Sequence, residues 1–211
     1  IATFHVTVTG HEVHSSQPRL GVSAVMEAAT LMYALNGLSA RLQDEADPAS
    51  PFTPKGPTLT IGLVQGGTAH NILARECTFV FDVRSPGPRT PQEIVAPFLE
   101  QAAVMDLALK ARVPGTGVVV EMTTNVPPFR PEPEGAAEAF ARRMTGDNGP
   151  PRVVAYAAEA GQFQQAGFST VICGPGSIDQ AHQPDEYVDI SQMQRGAQFM
   201  RRLIDWASEP V

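Results

Sequence analysis

The stretch TFVFDVRSPGPRTPQEIVAPFLEQAAVMDLALKARVPGTGVVVEM, residues 78 to 122, decides how the first half of the chain folds. Phe79, Phe81 and Val83 alternate with Thr78, Val80 and Asp82, the two-residue period of a strand with one buried face. Thr90-Pro91-Gln92-Glu93 then has the form of a capping box with proline at the first helical position. Behind it Ile94, Phe98, Ala102, Met105 and Leu109 recur at helical spacing. Val118, Val120 and Met122 close the stretch as another strand.

Working outward toward the start, Leu59, Ile61 and Leu63 alternate with Thr58, Thr60 and Gly62, and QGGTAHN (65–71) reads as the turn into the next strand. Phe4, Val6 and Val8 alternate with Thr3, His5, Thr7 and Thr9. After GHEVHSSQPRLG, the residues Val22, Val25, Met26, Ala29, Met32 and Tyr33 follow helical spacing. DEADPASPFTPKGP is a polar, proline-rich loop. The order strand, helix, strand, strand, helix, strand predicts a ferredoxin-like sandwich, one sheet with two helices on one face. Its length of about 120 residues suits a complete domain.

NVPPFRPEPEG reads as a linker or crossover. Beyond it the pattern predicts a helix (Ala137, Phe140, Met144), a strand (Arg152 to Tyr156), a short helix (Gly161 to Gln165), a strand (Ser169 to Cys173), and the loop GPGSIDQAHQPDEYVDI. A last helix starts at Asp189 or Ser191, with Met193, Ala197, Met200, Ile204 and Ala207 on one face. Such a piece, about 80 residues long, is expected to complete a larger α/β sheet rather than stand alone.

The bulk numbers narrow the classes. A net charge of -7 argues against a nucleic-acid surface, which needs clustered Lys and Arg. No apolar run reaches the roughly 18 residues of a membrane span. Cys77 and Cys173 lie in apolar, strand-like runs and read as buried, reduced core residues, which fits the cytoplasm better than secretion. IATFHVTVTG is not a signal peptide. The chain starts on Ile1 with a strand under way, which reads as a fragment or processed piece.

Several residues carry candidate chemistry, each with a plain alternative. His182 follows Gly174-Pro175-Gly176 at a strand's C-terminal end, where ligand sites gather in open α/β sheets. It is either a metal ligand or a loop histidine bonded to Asp185 or Glu186. His14 is either a donor at a strand end or a solvated turn residue. Asn71 follows a Gly-Gly turn and can be a turn former. Arg84 either pairs with Asp82 or offers its fork to a carboxylate. Glu159 sits where a first-turn acid would answer the helix dipole.

GHEVHSSQPRLGVSAV, GGTAHNILARECTFVFDVR, AEAGQFQQAG and CGPGSIDQAHQPDEYV, in that order, resemble the M20 metallopeptidase and deacylase family over essentially the whole chain. The resemblance implies an α/β catalytic domain with two zinc ions, for which cobalt can substitute, interrupted by a ferredoxin-like dimerisation or lid domain. Residues 1–123 match the lid, and residues 124–211 the C-terminal return into the catalytic domain. The implied reaction is metal-dependent hydrolysis of a small-molecule N-acyl amino acid, N2-acetyl-L-ornithine or a related one, to the free amino acid and acetate. That places it in arginine biosynthesis, in a cytoplasmic homodimer joined through the lid, with no nucleic-acid or membrane partner. A succinyl-diaminopimelate desuccinylase-like deacylase and a non-catalytic dimerisation or binding module are the alternatives.

The resemblance also implies roles. His182 matches a metal ligand. His14 matches a lid histidine that reaches the partner subunit's active site and stabilises the tetrahedral oxyanion. Asn71 matches a lid asparagine near the substrate across the dimer, and Arg84 an arginine on the substrate carboxylate. Gly176 lies where the backbone approaches the substrate, and Glu159 would meet the cationic side chain. The family's Gly-Thr before that glutamate is replaced by Ala157-Ala158. Its HxD segment, bridging Asp and paired glutamates, including the general base, are expected upstream of this chain.

Overall fold

The computed structural model describes residues 1–87, 89–154 and 156–209. They form two compact units, Ile1–Pro128 and Phe129–Val211. No helix among the described residues is long and apolar enough to cross a membrane.

In the first unit the elements are β1 (Ala2–Thr9), α1 (Ala24–Asp44), β2 (Thr58–Gly66), β3 (Glu76–Arg84), α2 (Pro91–Arg112) and β4 (Gly117–Asn125). The strands make one antiparallel sheet in the order β2-β3-β1-β4, the ferredoxin-like arrangement that the element order predicts. Phe4, Val6 and Val8 of β1 and Phe79, Phe81 and Val83 of β3 are buried under the two helices. Phe81 ties the layers together, stacked on Phe4 at 5.0 Å and edge-on to Phe98 of α2 at 5.3 Å. Such aromatic pairs contribute roughly 0.5–1.5 kcal/mol beyond their area burial. Cys77 is buried in the same layer, and that burial pushes its thiol pKa up.

The capping box forms as the sequence predicts. Glu93 N–H donates to Thr90 Oγ1 at 3.2 Å, and Thr90 N–H donates to the Glu93 carboxylate at 2.6 Å. Those Thr90 bonds, first the backbone N–H and then the hydroxyl, draw the Glu93 carboxyl below its ordinary range. At the other end of α2, Asp106 accepts from Lys110 at 2.7 Å and from the backbone N–H of Val118 at 2.9 Å. The carboxylate thereby pins the helix to the first turn of β4.

Three details depart from the periodicity. The core face of α1 is Ala24, Ala28, Leu31, Leu35, Leu38 and Leu42, whereas Met26 is 70% and Tyr33 80% exposed. The helix runs eleven residues past Tyr33, and it is this longer leucine stripe that fixes which face turns inward. In β2 the register shifts between Ile61 and Leu63. The bulge at Gly62 turns Leu63 outward, as bulges re-aim side chains. A second shift, opposite Thr3/Phe4, lies at the end of β4 where Met122 is exposed.

The second unit contains α3 (Ala136–Thr145), α4 (Ala160–Gln165) and α5 (Ile190–Ala207), with a one-turn 3-10 helix at Ile178–Gln180. Glu132 is its staple. The carboxylate accepts from Gln164 Nε2 at 2.9 Å, Ser169 Oγ at 2.7 Å and the Thr170 N–H at 3.3 Å. Those donors, Gln164 first, hold the carboxyl below its usual range. Helices α3 and α5 meet through Phe140 and Trp206, ring centroids 4.6 Å apart, and through Arg202, which donates to the Met144 carbonyl.

The strands expected at 152–156 and 169–173 are not formed among the described residues; Ala155 lies outside them. A strand exists only as a rung of a ladder, and neither segment has a paired neighbour. Cys173 is accordingly exposed, not a core residue. Helix α5 starts after Asp189, which makes no side-chain cap bond. Its predicted stripe is regular but uncovered: Met193, Met200 and Ile204 are each more than half exposed. Beside it Phe140, Phe163, Phe168, Val171 and Phe199 line an apolar groove of about 430 Å³.

Candidate functional site

The site begins where β1 ends. Gly10 donates its N–H to the Arg75 carbonyl at 2.7 Å, and a ladder-like set of bonds continues beyond both strands. Leu73 N–H donates to the Val13 carbonyl, and Ser15 N–H to the Asn71 carbonyl, each at 2.9 Å. His14 and Ile72 form an isolated antiparallel bridge. Two loops far apart in sequence therefore hold His14 and Asn71 side by side at one end of the sheet. Gly10 is required there: a Cβ would run into the Val22 carbonyl and would lie 2.5 Å from the Ala74 carbonyl and 2.8 Å from Ala24 N.

Both side chains are exposed. Nδ1 of His14 is engaged by Ser16, whose backbone N–H donates to it at 3.2 Å and whose Oγ lies at 2.8 Å. The sequence sets Ser15 and Ser16 beside His14 but gives Ser16 no role of its own. Its only signal was a serine two residues after the histidine, inside a tight turn.

Arg84 lies at the opposite end of the sheet. Residues Glu76 and Arg84 are the two ends of β3, so the strand separates Arg84 from the His14–Asn71 end by about 26 Å at roughly 3.3 Å per residue. Its Nε donates to Asp82 Oδ2 at 2.9 Å, the pairing that was one of the two sequence alternatives.

In the second unit Glu159 is exposed at the start of α4, its carbonyl accepting from Gln162 and Phe163 while its carboxylate makes no cap bond. Gly176 has φ +98° and His182 φ +61°. Positive φ is uncommon for residues other than glycine, and histidine is one of the few side chains enriched there. The His182 N–H donates to Glu186 Oε2 at 3.0 Å, so the local alternative for this loop is present through the backbone. Among the described residues no group of three or more His, Cys, Asp or Glu could hold a metal ion. One exposed imidazole does not fill a zinc sphere of about three or four protein ligands, so His182 would need ligands from beyond its own loop.

The peptidase dimerisation domain of the M20 type matches residues 1–106. The chain belongs to this family. Among curated proteins it is 30% identical over 200 residues to an acetylornithine deacetylase of Proteus mirabilis, covering 95% of this chain and 50% of that one. It is 32% identical over 207 residues to an acetylornithine deacetylase of Myxococcus xanthus, covering 94% and 50%. The chain spans about half the length of the curated relatives it matches. Among solved structures a Staphylococcus aureus tripeptidase superposes with a TM-score of 0.67 at 21% identity, over 96% of this chain and 50% of the other. The Bacillus cereus aminopeptidase PepT gives 0.67 at 19% identity, over 99% and 52%. At these identities the structural likeness speaks to the fold.

Proposed function

We propose that this chain is the lid, residues 1–123, and the C-terminal catalytic segment, residues 124–211, of a homodimeric, zinc-dependent M20 amidohydrolase. Its substrate on this reading is N2-acetyl-L-ornithine, cleaved to the free amino acid and acetate. The curated relatives' names support the acyl group and the amino acid. The remaining metal ligands and the general base would lie on the part of the polypeptide that those relatives have and this chain does not match. His182 would be the ligand contributed from here.

The observation that carries the reading is the separation of His14 and Asn71 from Arg84 by the length of β3. A substrate the size of an acyl amino acid cannot span about 26 Å of strand. If all three contact one substrate, they come from two copies of the chain. His14 of one subunit then donates to the oxyanion while Arg84 of the other, its Nε oriented by Asp82, takes the carboxylate in its planar fork. Asn71 sits beside His14 on the crossing loop, and the positive-φ Gly176 lets the backbone approach the bound molecule. Glu159 would face the cationic side chain.

A dimer surface is available for this. The outward face of α1 exposes Val25, Met26 and Tyr33, and the free edge strand β2 exposes Leu63 and Val64. Apolar patches and unpaired strand edges of this kind mark association sites. In the intact enzyme His14→Ala is expected to lower kcat by roughly 10²-fold or more, as for other lost oxyanion donors. A kcat within a few-fold of wild type removes that role. Acetylated against succinylated substrates separates the deacetylase from the desuccinylase reading. The absence of a ligand cluster among the described residues favours a second reading for the chain on its own, a dimerisation module without turnover. Stoichiometric zinc binding with hydrolysis by the isolated chain would overturn it.

A further inference from the structure

The turn from His14 to Gln17 contains a device that acts on the imidazole itself. Two groups of Ser16 meet the same ring atom: the backbone N–H donates to His14 Nδ1 at 3.2 Å, and Oγ lies 2.8 Å away. A backbone N–H can only donate. Nδ1 is therefore the bare, lone-pair nitrogen, and in the neutral ring the proton sits on Nε2. The Ser16 hydroxyl could satisfy either tautomer, but the N–H fixes the choice, and the hydroxyl then turns to give a second bond to Nδ1.

The turn is itself tied down. Gln17 N–H donates to the His14 carbonyl and Ser15 N–H to the Asn71 carbonyl, each at 2.9 Å. Among the described residues Nε2 has no partner, and the side chain is exposed. The arrangement leaves His14 with one free polar atom, and that atom is an N–H.

We propose that Ser16 is a positioning residue that locks His14 as the Nε2–H tautomer, so that the imidazole presents a donor and not a lone pair. A ring held this way can give a hydrogen bond to a developing oxyanion. It cannot ligate a metal through Nδ1, and its exposed face does not accept a proton from substrate. The functional consequence rests on the role given to His14 above; the tautomer itself does not.

Long-range ¹H–¹⁵N correlation of the His14 side chain in this chain tests it, at about pH 8, above the ordinary imidazole range. His14→Gln assigns the signals by their loss. The wild type is expected to show the Nε2–H form alone. Ser16→Ala, which keeps the backbone donor that fixes the choice, is expected to keep the Nε2–H form, and Ser16→Pro, which removes that donor, to admit an appreciable Nδ1–H fraction. Unchanged β1 amide signals establish that each variant is folded. An Nδ1–H population in the wild type, or a Ser16→Pro ratio equal to the wild type's, overturns the proposal. A locked tautomer together with a harmless His14→Ala would instead remove the catalytic role and leave the lock.

Discussion

Gly10→Ala asks whether the His14 loop is held by the close approach of three backbone segments. The added methyl would lie 2.5 Å from the Ala74 carbonyl and 2.8 Å from Ala24 N, besides striking the Val22 carbonyl. Overpacking typically costs about 1–3 kcal/mol. Here the obstacles are backbone atoms, which cannot rotate aside, so the upper part of that range applies. Replacing glycine also removes about 0.4–1 kcal/mol of unfolded-state freedom. The net expectation is a loss of about 1–2 kcal/mol. Amide hydrogen exchange reads it without mixing the two units: protection at Phe79 and Phe81 reports the opening of the sheet, and protection at Leu73 and Ser15 reports the loop. Both should fall, the loop pair by more. Equal protection at all four positions in the variant and the wild type would refute the reasoning.

Asp106→Asn tests the carboxylate that joins α2 to β4. Lys110 first, and then the Val118 N–H, hold this carboxyl below its ordinary range. A folded pKa below the unfolded one gives stability that is present above the unfolded value of about 3.9 and is lost as pH falls through the lower folded value. Thermal melts across the acid range should show the wild type losing stability there and Asp106→Asn, already weaker at neutral pH, changing less; parallel curves contradict this. Tyr33→Glu places a charge on the 80%-exposed position of the α1 stripe. Light scattering should show a dimer for the wild type and a shift toward monomer for the variant, with unchanged circular dichroism; an unaffected dimer moves the interface elsewhere.

The sheet was legible because β1 and β3 keep strict alternation with large apolar residues on one side, and the Thr90–Glu93 box announces α2 by itself. The inward face of α1 was not, because Val25, Met26 and Tyr33 mimic a stripe over the first turns and only Leu35, Leu38 and Leu42 break the tie. Bulges at Gly62 and near Thr123 shift alternation by one residue and leave no compositional mark beyond a glycine. In the second unit, segments 152–156 and 169–173 have strand composition, but pairing needs a neighbour that composition cannot supply. The meeting of His14 with Asn71 is a contact across more than fifty residues and could not be read from spacing. The distance from Asn71 to Arg84 could, since β3 lies between them. The roles proposed for these residues rest on family resemblance; their local sequence left each one open.

The central claim is that His14 of one chain and Arg84 of another serve one substrate. Mixing His14→Ala and Arg84→Ala versions of the intact enzyme, each nearly inactive alone, tests it directly. A mixed dimer then contains one site with both defects and one with neither, so random exchange of subunits should restore about a quarter of wild-type activity. If both residues act from the same chain, every site in the mixture keeps one defect, and activity no higher than that of the separate variants would contradict the account.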